Sequence, residues 1–233
     1  MVPMNETSSV RPYRGVNAAE RLAARRSRLL AAGLDLLGAE QDVAALTVRG
    51  VCRRAGLAAR YFYESFTDKD EFIGAVFDWV IADLAATTQA VVAAAPVHEQ
   101  TQEGMANIVR TIASDARVGR LLFSTQLADP VIVRKRAESS ALFAILSGHH
   151  AGNILNMSAN DRIKAAAHFV VGGVGQTISA WLAGDVQLEP VQLVDQLSAL
   201  IDRLADPKLY RLMETAAAAT AAFRDPAATD VSW

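Results

Sequence analysis

The chain has 233 residues, 52% of them hydrophobic, and a formal net charge of −2. So much apolar material excludes a globally disordered chain, and the near-neutral balance excludes a protein that binds nucleic acid through bulk positive charge. The charge is unevenly spread: residues 1–70 hold 11 Lys and Arg against 8 Asp and Glu, and the remainder 12 against 17, so a mildly basic N-terminal module on an acidic body is predicted. Cys52 is the only cysteine, which excludes an intramolecular disulfide and a cysteine zinc cluster and fits a reducing compartment. The first residues lack the apolar run of a signal peptide. No segment has the roughly 18 or more continuous apolar residues of a membrane span. A cytoplasmic protein without a membrane partner is expected.

In chain order, residues 1–17 are polar and interrupted by Pro3, Pro12 and Gly15, and are predicted to be a flexible arm carrying Arg11 and Arg14. Residues 18–39 form the first helix, with Leu22, Leu29, Leu30, Leu34 and Leu37 in one apolar stripe and Arg21, Arg25, Arg26 and Arg28 mostly off it. Thr47 is placed to cap a short helix over 48–55, with Val48, Val51 and Cys52 facing inward, and Gly56 to end it in a tight turn. A second short helix spans about 58–65, anchored by Phe62 and Phe66. A longer apolar-striped helix follows over 70–95. Further helices are predicted at about 99–116, 118–127, 130–150, 160–183, 190–204 and 207–223, with a loop over His149–Ala159 and a loose tail after Pro226. No strand pattern and no repeat is present, so the fold class is all-α. The domain plan is an arm (1–17), a small helical domain (18–69), a larger helical domain (70–225) and a tail (226–233).

The informative stretch is Thr47–Phe72, TVRGVCRRAGLAARYFYESFTDKDEF. Two short helices joined by a glycine turn and backed by a leucine-striped helix share one apolar core made of Leu29, Leu34, Leu37, Val48, Val51, Cys52, Leu57, Phe62 and Phe66. That is the helix-turn-helix plan, whose second short helix enters the major groove of DNA. Base reading falls to the start of that helix, Ala58, Ala59, Arg60 and Tyr61, because an arginine donates two parallel hydrogen bonds to a guanine edge.

The same residues resemble the tetracycline-repressor (TetR) family. Thr47, Val48, Arg49, Ala55, Gly56, Leu57, Phe62, Tyr63, Phe66, Lys69 and Phe72 fit its pattern over about residues 20–80. The resemblance implies phosphate contacts by Thr47, Arg49, Tyr63 and Lys69. It also implies an all-helical body that forms a homodimer and responds to a small hydrophobic effector. Two departures stand out: Ala58 replaces the usual Ser or Thr cap, and Tyr61 replaces a small residue.

One module makes a small DNA interface, so a homodimer on two half-sites is expected. The late helices are its candidates, through Phe169, Gly172, Gly173, Ile178 and Trp181 on one and Leu193, Leu197, Leu200, Ile201 and Leu204 on the other. Helix-interior glycines, costing about 1 kcal/mol each relative to alanine, fit a close helix–helix approach. An effector cavity is expected among Trp79, Met105, Ile108, Phe123 and Phe143. Phe169 is expected to line it too, with Gln126, His149 and Gln176 as candidate polar groups. The same stripes also serve an ordinary core. A transcriptional repressor is thus expected, with double-stranded DNA, an effector and a second copy as partners. No metal or cofactor is expected. The alternatives are an activator of the same fold and a helical interaction scaffold. An enzyme is disfavoured, since no phosphate loop, nucleophile elbow or His-Glu-x-x-His segment is present.

Overall fold

Thr47 and Gly56 set the first boundaries. The Thr47 Oγ1 accepts from the Gly50 amide at 3.1 Å and opens one short helix. Gly56, at φ 64° and ψ 39°, closes it in the left-handed conformation that glycine adopts without a Cβ penalty. The structure is a computed structural model that describes residues 15–39, 46–155, 160–204 and 206. Among them are α1 (Gly15–Leu37), α2 (Val48–Ala55), α3 (Ala59–Tyr63), α4 (Lys69–Ala94), α5 (Gln100–Ser114), α6 (Ala116–Phe123), α7 (Pro130–Leu155), α8 (Asp161–Ala183) and α9 (Pro190–Leu204). The described residues contain no strand, and the fold is the expected all-α one.

Helices α1, α2 and α3 form a small unit against the start of α4. Leu29, Leu34, Leu37, Val51, Cys52, Phe62 and Phe66 are buried there with Phe72 and Val76 of α4, and Val48 and Leu57 are half-buried against them. Burial pushes the Cys52 thiol pKa up, which suits a core residue rather than a nucleophile. Gly33 is where α1 and α4 touch: a Cβ there would lie 2.6 Å from the Phe72 ring. Behind this unit, α4 packs on α5 and α7, α7 on α8, and α9 on α5. A second core joins Val109 and Ile112 to Ile178, Leu193, Val194 and Leu197. By length and mean hydropathy α4 would reach across a membrane. Here Phe72, Ile73, Val76, Phe77, Val80 and Leu84 spend that apolarity on the protein core.

Several predicted boundaries moved. Helix α1 starts at Gly15, ahead of 18, while residues 18–24 are exposed and Leu22 is 40% accessible. The buried stripe therefore begins at Leu29. The rest of the expected arm, with Arg11 and Arg14, lies outside the described residues, as do the helix expected at 207–223 and the tail. Helix α7 runs on to Leu155, through the first half of the loop expected at His149–Ala159. Gly148 and Gly152 are buried, and a Cβ on Gly148 would sit 3.6 Å from that of Ala167. Close packing of α7 on α8 outweighs the roughly 1 kcal/mol helix penalty of a glycine.

Candidate nucleic-acid interface

Helix α3 is only five residues long, too short to persist alone, and its packing explains why it forms. Phe62 is fully buried, its ring 5.4 Å from Phe66 and 5.2 Å from Phe72 between centroids. Its N-cap, Ala58, offers no side-chain acceptor, so the helix starts on the backbone bond from the Tyr61 amide to the Ala58 carbonyl, at 3.0 Å, and tertiary contacts replace the side-chain cap.

Three arginines of α1 supply much of that support. Arg28 Nη2 donates to the Ala55 carbonyl at 2.7 Å and to that of Gly56 at 3.3 Å, where α2 ends. Arg26 Nη1 donates to the Ser65 carbonyl at 2.8 Å, and its guanidinium lies 4.4 Å from the Phe66 ring centroid. Arg25 pairs with Glu64 at 3.3 Å and stacks 4.3 Å from the Tyr61 centroid. Cationic side chains at helix C-termini satisfy orphan carbonyls and oppose the negative dipole end. These roles went unseen in the sequence; the available signal was four arginines within two turns of the leading helix.

The outward face carries the expected reading residues. Ala58, Ala59, Arg60 and Tyr63 are exposed, Tyr63 by 62%. Tyr61 is half-buried, and its hydroxyl accepts from Arg60 Nη2 at 2.6 Å. Thr47 and Arg49 are exposed at the start of α2. Val48 instead packs against the core, so it supports the face rather than reaching out from it. Lys69 is the first residue of α4 and half-exposed. The helix start beneath it is tightly built. The Asp68 carboxylate accepts from the Glu71 amide at 2.8 Å, and Glu71 accepts from the Thr67 amide and hydroxyl, both at 2.7 Å. Those hydrogen bonds from Thr67 hold the Glu71 carboxyl below its usual range. The starts of α2, α3 and α4 thus present hydroxyl, guanidinium and ammonium donors around one short helix.

Comparison with known proteins agrees with this geometry. The family described as bacterial regulatory proteins, tetR family, matches residues 29–76, from mid-α1 into α4. Over those residues the chain is similar to the tetR family. Its fold is shared by solved structures of low identity. The fatty acid degradation regulator FadR from Bacillus halodurans is 14% identical, with TM-score 0.63 over 78% of this chain and 95% of that one. A TetR-family regulator from Syntrophomonas wolfei is 13% identical, with TM-score 0.65 over 78% and 95%. FadR from Bacillus subtilis, solved in complex with stearoyl-CoA, is 15% identical, with TM-score 0.59 over 75% and 96%. No curated protein sequence matches significantly.

In the body of the chain the expected effector residues do not converge. Trp79 lines a cleft of about 270 Å3 between α1, α4, α5 and α6, with Asp83, Thr111 and Ser114. Met105, Ile108 and Phe123 pack on the second core. Phe143 is half-buried on α7, and Gln126, His149 and Gln176 are exposed. Phe169, 69% exposed, closes no cavity within the subunit. The dimer candidates divide as well. Ile178, Leu193 and Leu197 are buried against Val109 and Ile112, and Trp181 packs beside them with its Nε1 donating to the Leu188 carbonyl at 2.8 Å. These four belong to the subunit's own core, because α9 lays its apolar stripe on α5. Phe169, Gly172, Gly173 and Leu200 remain exposed, Ile201 and Leu204 are half-buried, and a Cβ on either glycine would meet nothing within 4 Å.

An ion-pair chain joins the DNA-binding unit to the body. Asp35 of α1 pairs with Arg54 of α2 at 2.6 Å and with Arg117 of α6, and Arg117 pairs with Asp115 at 2.6 Å. Gly38 lies directly against the Arg117 backbone and leaves no room for a Cβ. Asp115 also caps α6 by accepting from the Arg117 amide at 3.0 Å. The hydrogen bond from the Arg117 side chain holds the Asp115 carboxyl below its usual range. A carboxylate with a depressed folded pKa stabilises above its unfolded value, about 3.9, and that stabilisation is lost as pH falls through the folded value. The thermal midpoint is expected to drop as pH falls below about 4, and Asp115→Asn is expected to flatten that limb; equal acid limbs would contradict the assignment.

Proposed function

We propose that this protein is a ligand-responsive, sequence-specific transcriptional repressor that binds a palindromic operator as a homodimer and leaves it when a small apolar effector binds. The observation that carries this reading is α3, a helix with Phe62 fully buried on one side and Arg60 and Tyr63 exposed on the other. In the proposed complex that exposed face enters the major groove with Arg60 on a base edge. Thr47, Arg49, Tyr63 and Lys69 take the flanking phosphates and set the register. Two recognition helices are needed for useful affinity. The exposed apolar and glycine surface at Phe169, Gly172, Gly173 and Leu200 supports pairing with a second copy.

The stearoyl-CoA in the structure of Bacillus subtilis FadR supports an effector with an apolar chain, admitted where Met105, Ile108 and Phe123 meet. Effector binding releases DNA only by its differential affinity for two arrangements of the body. Helix α4, which touches α1 as well as α5 and α7, is the lever between them.

Lys69→Ala tests the phosphate assignment. It is expected to weaken binding to all duplexes alike and to lower the slope of log affinity against log salt by about one unit. An unchanged slope and affinity would remove Lys69 from the interface.

A further inference from the structure

We infer that Tyr61 is a positioning residue that holds Arg60 ready to read a guanine, with Arg25 of α1 as its brace; the inference rests on the proposal that α3 enters the major groove. The observations form one cluster. Arg60 Nη2 donates to the Tyr61 hydroxyl at 2.6 Å. The Arg60 and Arg25 guanidinium carbons lie 4.6 Å and 4.3 Å from the same ring centroid. Arg25 is held in turn by Glu64 at 3.3 Å, which offsets the repulsion between two neighbouring cations. The hydrogen bond from Arg60 also lowers the pKa of the Tyr61 phenol.

The donor inventory gives the cluster a direction. A guanidinium has five N–H groups, and this contact uses one, so a parallel pair remains free for a base edge. The Tyr61 oxygen acts as acceptor toward Arg60, which leaves its own proton to donate outward. The pair's outward groups are therefore mainly donors, the free guanidinium N–H groups and the phenol proton, beside one remaining lone pair on the Tyr61 oxygen. Guanine presents two acceptors, N7 and O6, in the major groove, whereas the amino groups of cytosine and adenine would meet donor against donor. A free arginine gives up rotamer freedom when it binds; one already held against a half-buried ring gives up less.

The test uses a duplex that the purified full-length protein selects from a random pool, and the same duplex with each guanine pair near the α3 contact replaced by A·T. Tyr61→Phe keeps the ring and the Arg25 stack but removes the hydroxyl. It is expected to cut the preference for the guanine duplex by about tenfold, the scale of one charge-assisted hydrogen bond. The salt slope, the affinity for unrelated duplex and the thermal midpoint are expected to stay as in the parent. Arg60→Ala is the reference variant. If Arg60→Ala leaves the preference intact, base reading by α3 itself fails. If Arg60→Ala abolishes the preference and Tyr61→Phe leaves it intact, the positioning role is overturned while base reading survives. Equal weakening of every duplex by Tyr61→Phe overturns it too, because Tyr61 is then a phosphate contact.

Discussion

Phe62→Ala is expected to destabilise the protein by about 3–5 kcal/mol and to abolish duplex binding before global unfolding. Phe62 has no exposed surface and joins Tyr63, Phe66 and Phe72 in one aromatic cluster with centroids 5.1–5.5 Å apart. Alanine leaves a cavity in the middle of it. A typical domain is stable by only about 5–15 kcal/mol in all, and α3 has no side-chain cap of its own. Losing its anchor therefore dismantles the reading face first. Urea denaturation together with fluorescence anisotropy on labelled duplex measures both effects. A loss under about 1 kcal/mol with binding retained would mean that α3 is held by something other than this cluster.

Arg136→Met is expected to cost about 3 kcal/mol, although arginine replacements on protein surfaces usually cost little. Its guanidinium is partly buried, and burial lowers its pKa. It donates to the carbonyls of Arg120 at 3.1 Å, Leu121 at 2.7 Å and Leu127 at 3.1 Å. The first two belong to the last turns of α6, where the Arg120 carbonyl also accepts from the Ser124 amide at 3.1 Å. Methionine fills much of the volume but takes the side-chain donor from the part-buried Leu121 and Leu127 carbonyls, at about 1–3 kcal/mol each before relaxation. Arg136→Lys is expected to recover little, since a compact ammonium does not span what a planar fork spans. Chemical denaturation of the three proteins measures this. Full stability in the methionine variant would show that solvent already serves those carbonyls.

What the sequence disclosed follows from how local each signal is. Helix α2 occupies Val48–Ala55 as expected because Thr47 and Gly56 act on their own neighbours. The buried partners of α3 were also legible, since Phe62 and Phe66 lie on one face four residues apart. The roles of Arg26 and Arg28 were not, because the carbonyls they serve lie 39 and 27 residues away. Helix α7 outran its predicted end because Gly148 and Gly152 read locally as breakers and only packing on α8 makes them helical. The placement of the dimer candidates was illegible for a related reason. An apolar stripe states that a helix face is covered, not whether its own subunit or another does the covering. For Leu193 and Leu197 the cover is α5, and Ile178 lies in the same core.

Sequence reading by the exposed face of α3 is open to one decisive experiment, selection of bound duplexes from a random pool by the purified protein. The expected result is a two-fold symmetric consensus whose half-sites sit about one helical turn, or a multiple of it, apart and contain a guanine, with Arg60→Ala degrading the consensus at that base. Recovery of no consensus, with weak binding to all sequences at low salt, would contradict it.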